Sequence, residues 1–182
     1  VLPELFEEKM KKLLGEEWLT FWESYAGNRF QALRMNQLKL DVSPDKEKQV
    51  REKFCLKKQV PWANNAYYYE SDVRPGKHPY HEIGVYYIQE PSAMSAASVL
   101  DPKPGMRVLD LCAAPGGKST QIASMLQGKG LLVSNEIHPA RCKILSQNME
   151  RMGVTNTIVT NEDSETLANH FGCFYHAILV DA

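Results

Sequence analysis

Asp110-Leu111-Cys112-Ala113-Ala114-Pro115-Gly116-Gly117-Lys118 is the stretch whose reading decides the fold. It follows the apolar pair Val108-Leu109, and its far end opens a helical pattern running to about residue 126. A strand that turns through glycines directly into a helix is the first unit of an open α/β sheet. Ligands of such sheets bind outside the carboxyl ends of the strands. Gly116 and Gly117 lack a Cβ, so a ligand can approach the backbone closely there. The helix start offers free amides and partial positive charge to a carboxylate.

Downstream the pattern alternates. Strands are expected at residues 106–111, 131–134, 157–160 and 177–181, with helices at 139–152 and, more weakly, 163–171. Strands alternating with helices predict parallel βαβ units in a doubly wound sheet. A sheet stopping at its fourth strand leaves a long apolar edge. The sheet is therefore expected to be incomplete, and the natural protein to continue past Ala182.

Acidic residues recur at the expected strand tips: Asp110, Glu136, Asp163 and Asp181. A carboxylate at the second tip can accept both hydroxyls of a ribose, which is the role expected of Glu136. Asp163 could accept from an adenine amine, and Asp110 could balance a cationic group. Arg141 is a candidate for the ribose side. A carboxylate, a cation and an adenosine occur together in S-adenosylmethionine, the cofactor expected here. Competing nucleotide motifs fail. A phosphate-binding loop needs a glycine where Cys112 stands, and residues 110–118 do not supply Gly-x-Gly-x-x-Gly. Cys112 lies where the cofactor is expected, so it is not assigned as a nucleophile.

Upstream, Asp101-Pro102-Lys103-Pro104-Gly105 is a clear break. Residues 84–90 form a plausible short strand, and Pro91 opens a helix carrying Met94, Ala97 and Leu100. Residues 1–83 are expected to form a small, mainly α domain, with the cofactor-binding domain at 84–182. Leu2, Leu5, Phe6, Met10, Leu13 and Leu14 recur at helical spacing, and a second helix runs from Trp18 to near Gly27. Ser43 can cap a helix beginning at Pro44. Pro61 and Asn64-Asn65 mark loops, and residues 67–69 read as a strand. Lys46, Lys48, Arg51, Lys53, Lys57 and Lys58 face only Glu47 and Glu52 within residues 46–58, with Trp62 and Tyr67, Tyr68 and Tyr69 nearby. That segment is either a phosphate-contacting and base-stacking surface, or a solvated helix face over a small aromatic core. His78-Pro79-Tyr80-His81 reads as loop packing rather than as a metal site.

Composition is ordinary for a globular chain of 182 residues, and a net charge of −1 provides no global basic field. Cys55, Cys112, Cys142 and Cys173 fit neither zinc spacing nor a disulfide framework. No metal is expected. No apolar run reaches membrane-spanning length, and no signal peptide is evident, so a cytoplasmic location and no membrane partner are expected.

Residues 110–118 match the RNA cytosine-C5 methyltransferases of the Nol1/Nop2/Sun group. Tyr86-Tyr87-Ile88-Gln89-Glu90-Pro91-Ser92 resembles that family's segment entering the catalytic domain. Asp181-Ala182 looks like the start of its Asp-Ala-Pro-Cys motif. Ala32-Leu33-Arg34-Met35-Asn36 resembles the small domain of the bacterial 16S ribosomal RNA methyltransferases of the RsmF type. The resemblance implies a class I, Rossmann-like methyltransferase sheet with S-adenosylmethionine as cofactor. It implies RNA, that of the small ribosomal subunit, as partner. Residues 110 and 112–118, with Glu136, Arg141, Asp163 and Asp181, become the expected cofactor contacts. In the implied chemistry a cysteine adds to cytosine C6, C5 takes the methyl group, and loss of the C5 proton frees the enzyme. The family's two cysteines would lie beyond Ala182, so no catalytic residue is assigned here and the 182-residue chain alone is expected to be inactive. Two other readings are an RNA-binding module with an inert Rossmann half and a phosphate-loop-like nucleotide-binding protein.

Overall fold

The computed structural model describes residues 2–25, 27, 29–40 and 44–182, and the chain divides into two compact units, 1–30 and 31–182. The first unit holds α1 (Glu4–Leu14) and α2 (Trp18–Ser24). Gly15 ends α1 at a φ of +54°. Phe21 packs on Phe6 and Trp18, with ring centroids 6.4 and 5.9 Å apart. Both helices fall where the apolar spacing predicts them.

The second unit begins with β1 (Gln31–Met35), α3 (Gln37–Leu40), α4 (Pro44–Lys53), β2 (Gln59–Val60), β3 (Ala63–Tyr69), α5 (Pro79–Glu82) and β4 (Tyr86–Ile88). The four strands form an antiparallel sheet in the order β2-β3-β1-β4. This sheet adds to the helical character expected for residues 1–83. The alternation of β1 is hidden because both of its faces are buried. Leu33 and Met35 enter one core with Val50, Phe54 and Tyr86, while Ala32 joins another with Val60 and Ala66. Arg34 lies on the face of Ala32 and is itself fully buried. The strand at residues 84–90 exists as β4, and it pairs with β1 rather than with the downstream sheet. The helix at Pro44 is present; its expected cap Ser43 lies outside the described residues. His78 accepts from the Tyr80 N–H at 3.2 Å and so caps α5.

After α6 (Ser95–Leu100), which ends at a left-handed Asp101, come β5 (Arg107–Asp110), α7 (Gly117–Leu126), β6 (Leu131–Asn135), α8 (Pro139–Met152), β7 (Thr157–Thr160), α9 (Ser164–Phe171) and β8 (Ala177–Leu179). The strands are parallel, in the order β7-β6-β5-β8. Alternate residues face opposite sides. Val108 and Leu132 pack with Ala97, Ile122, Leu145 and Met149 of α6, α7 and α8. Leu109 and Val133 pack with Leu167 of α9. The sheet is thus covered on both faces, as parallel sheets require. No helix among the described residues is long and apolar enough to cross a membrane.

Candidate functional site

The order reverses at β5, since β6 follows on one side and β8 arrives on the other. Register aligns Asp110 with Ser134 and Leu179, and Asn135 with Thr160. The strand tips therefore open together into a cavity of about 630 Å³, well within the range of small-molecule sites. Residues 112–115, Gly117 and Lys118 form one wall, and Glu136, Arg141, Asp163 and Asp181 add charged groups to the lining. Ten of the twelve expected residues thus meet there; Asp110 and Gly116 stand behind the wall.

Glu136 follows directly on β6 and is buried. Its Oε1 accepts from the His138 N–H at 3.0 Å, and its Oε2 lies 3.4 Å from Arg141 Nη1. Arg141 also donates to the Ala114 carbonyl at 2.9 Å, tying the Gly-rich loop to the acid. Beneath Glu136, buried Asn135 cross-links three segments. It donates to the Leu111 and Glu162 carbonyls and accepts from Thr160 Oγ1. Asn135 is absent from the sequence-based set, because nothing in its type distinguishes it from a loop asparagine.

Lys118 and Asp181 form an ion pair across the cavity wall. That pairing engages the lysine a phosphate-loop protein would present to its ligand. Asp163 lines the cavity, but its Oδ1 accepts the Thr166 N–H at 2.7 Å as the cap of α9, which lowers its pKa.

Gly116 adopts φ +112°, and a Cβ there would come within 3.2 Å of Leu145 on α8. At Gly117 a Cβ would come within 3.3 Å of Gln89 and Tyr87. The left-handed turn favours glycine at 116, and at 117 the Gln89 and Tyr87 side chains would have to give by a few tenths of an ångström to admit a Cβ. Tyr87, Gln89, Glu90 and Ala93 line the cavity too, so part of its wall comes from β4 and the segment after it. Ile137, 58% exposed beside Glu136, adds an apolar surface.

Asp110 is not placed to balance a ligand cation. Its side chain is 1% exposed; Oδ2 accepts from the Ser119 hydroxyl at 2.6 Å and Oδ1 has no partner. Burial raises its pKa from 3.8 to about 6, against the opposing Ser119 hydrogen bond and the Lys118 charge, with Asp181 adding to the rise. The folded state therefore holds this proton more tightly than the unfolded chain. The stabilisation is complete below pH 4 and is lost as pH rises through about 6. Asp110→Asn is expected to remove that slope and, by pH 7, to gain on the order of 3 kcal/mol relative to the parent. Urea unfolding of both proteins between pH 4 and 7 measures it; parallel pH profiles would refute the assignment.

The basic segment resolves toward a small core. Tyr67 is buried, bonded to Glu47 at 3.0 Å and covered by Arg51 at 4.8 Å, while Lys58 lies 5.4 Å from the Tyr68 ring. Of the four aromatics noted there, Trp62 is the exposed one, at 44%.

Residues 2–91 match the family described as the N-terminal domain of 16S rRNA methyltransferase RsmF, and residues 97–182 match 16S rRNA methyltransferase RsmB/F. Ribosomal RNA small subunit methyltransferase F of Vibrio parahaemolyticus is 34% identical over the whole chain. The chain spans 39% of that relative's length. A methyltransferase homolog protein from Pyrococcus horikoshii superposes with a TM-score of 0.82 at 29% identity, covering 97% of this chain and 58% of that one. NSun6 from Pyrococcus horikoshii, solved with SFG, shares the fold at a TM-score of 0.82 and 20% identity, over 99% of this chain and 70% of its own.

Proposed function

Because the chain belongs to the family of RsmF-type 16S ribosomal RNA methyltransferases, we propose that its cavity holds S-adenosylmethionine and that the whole protein uses it to methylate cytosine C5 in small-subunit ribosomal RNA. The observation that carries this reading is Glu136, a buried carboxylate fixed at the tip of β6 on the cavity wall. A ribose presents two adjacent hydroxyls, and a carboxylate accepts both. The residues present fit the rest of the molecule. Ile137 offers the adenine an apolar face, and Asp163 an acceptor for its amine. Asp181, already paired with Lys118, would accept from the ammonium, and the first amides of α7 would face the carboxylate. Bound there, the cofactor supplies an electrophilic methyl group on sulfur.

The division of labour follows the cavity. All its lining residues lie from Tyr87 onward, within the cofactor-binding part proposed at 84–182, while 1–83 contacts RNA through surfaces such as α4. The protein is placed in the cytoplasm, where its RNA is. None of Cys55, Cys112, Cys142 and Cys173 is assigned as the nucleophile. Among them Cys112 lines the cavity, on the loop that holds the cofactor.

Calorimetric titration of the 182-residue protein with S-adenosylmethionine is expected to show saturable binding at one site. Incubation with small-subunit ribosomal RNA is expected to yield no C5-methylcytosine. Absence of binding at millimolar ligand would defeat the cofactor assignment, and a methylated product would defeat the exclusion of these cysteines.

A further inference from the structure

Arg34 is a wholly buried cation with no acidic partner among the described residues. It leaves β1 and reaches the cofactor loop. Its Nη2 donates to the Gly117 carbonyl at 3.1 Å and to Thr120 Oγ1 at 2.8 Å, and its Nε donates to Gln89 Oε1 at 3.3 Å. Nη1 is buried without a partner. On the cavity side lies Tyr87, whose ring has Arg34 at 5.9 Å and Arg151 at 5.6 Å.

An unpaired buried charge is costly, and proteins normally pair it or neutralise it. Here neither has happened. Burial lowers the guanidinium pKa only to about 10, so the charge persists at neutral pH. Among the charged residues lining the cavity, Arg141 pairs with Glu136 and Lys118 with Asp181, while the acids Glu90, Glu162 and Asp163 make no ion pair with Arg34. Asp110 meets the same turn of α7 through Ser119 and makes no ion pair with Arg34. The Arg34 charge sits at the first turn of α7, bonded to Gly117 and Thr120, where the helix end is also partly positive. Gln89 and Gly117, its direct partners, both line the cavity. An anion entering at that end would supply the missing counter-charge without touching Arg34.

Resting on the cofactor reading above, we propose that Arg34 is a positioning residue that makes this end of the cavity selective for the ligand's carboxylate, by its buried charge and by fixing Gln89 and the Gly117 turn. S-adenosylhomocysteine and its decarboxylated analogue separate this role from mere support of the fold, because both keep the adenosine and the ammonium and differ in the carboxylate. The 182-residue protein is expected to prefer the carboxylated ligand. Arg34→Gln is expected to reduce that preference roughly tenfold, the scale of one charge acting across about 12 Å at an effective dielectric constant of about 20, with affinity for the analogue nearly unchanged. Arg34→Lys keeps the charge and is expected to keep most of the preference.

Equal weakening of both ligands in Arg34→Gln would overturn the proposal, leaving Arg34 a structural bridge. If Arg34→Gln does not fold, Arg34→Lys decides, since loss of the preference in a folded Lys variant contradicts a role for the charge. Failure of the parent protein to bind either ligand would instead remove the cofactor reading itself.

Discussion

Glu136→Ala is expected to weaken S-adenosylhomocysteine binding about a hundredfold. Hydrogen bonds to a charged acceptor contribute about 1.5–3 kcal/mol each, and a loss of about 3 kcal/mol corresponds to roughly a hundredfold in affinity. The effect should be this large because Glu136 is already buried and already held, by the His138 N–H and by Arg141. Little ordering remains to be done when the ribose arrives. Alanine also releases Arg141 from the acid while leaving its bond to the Ala114 carbonyl. Glu136→Gln keeps one acceptor oxygen and loses the ion pair, so about a tenfold loss is expected. Calorimetry on the three proteins provides the comparison, with melting curves confirming that each is folded. An alanine variant binding within threefold of the parent would exclude Glu136 from the ribose site.

Gly84→Ala is expected to lower the unfolding free energy by about 4 kcal/mol, near the upper limit for single substitutions. Gly84 has φ +67°, and a Cβ would stand 2.2 Å from the Arg151 carbonyl oxygen and 2.9 Å from its carbon. Both atoms are backbone, so the C-terminal end of α8 or the strand entry at β4 has to move. The junction around it has little freedom. Asn36 donates to the Gly84 and Met152 carbonyls, both at 2.8 Å, and is fully buried. Lys39 donates to the Ile83 and Arg151 carbonyls at 2.6 and 2.7 Å. Moving either side breaks hydrogen bonds made by buried groups, which costs more than the backbone strain alone. Guanidinium denaturation measures the change, and a loss below 1 kcal/mol would show that the junction yields.

The parallel half of the fold was legible because its elements obey local rules. The strand at residues 157–160 and the helix at 139–152 stand at the expected bounds, each between recognisable turn residues. The antiparallel sheet was legible only in part: strands at residues 67–69 and 84–90 were expected and fall within or around β3 and β4, but β1, which joins them, was not. β1 reads Gln-Ala-Leu-Arg-Met, with no β-branched residue and a charged residue in a buried position. Arg34 and Asn36 look like surface residues in one dimension. Their partners lie 83 and 116 residues away, at Gly117 and Met152.

The site shows the same division. Acids at strand tips follow from topology, so Glu136 and Asp181 could be placed from the alternation of strands and helices. Whether a tip acid faces the cavity or the helix behind it depends on local hydrogen bonds. Asp110 turns to Ser119, and Asp163 spends one oxygen capping α9. Tyr87 and Gln89 stand in a stretch that the sequence marks as the entry to the catalytic domain, but their place on the cavity wall is not legible there, since β4 pairs with β1 and not with the parallel sheet.

A crystal structure of the 182-residue protein soaked with S-adenosylhomocysteine tests the cofactor assignment most directly. Density is expected in the cavity at the β5–β8 switch, with both ribose hydroxyls within 3 Å or so of the Glu136 carboxylate, an ordinary hydrogen-bond length. The amino-acid end should lie over the Gly117 turn. Density at another site, or a ribose held away from Glu136, would contradict it.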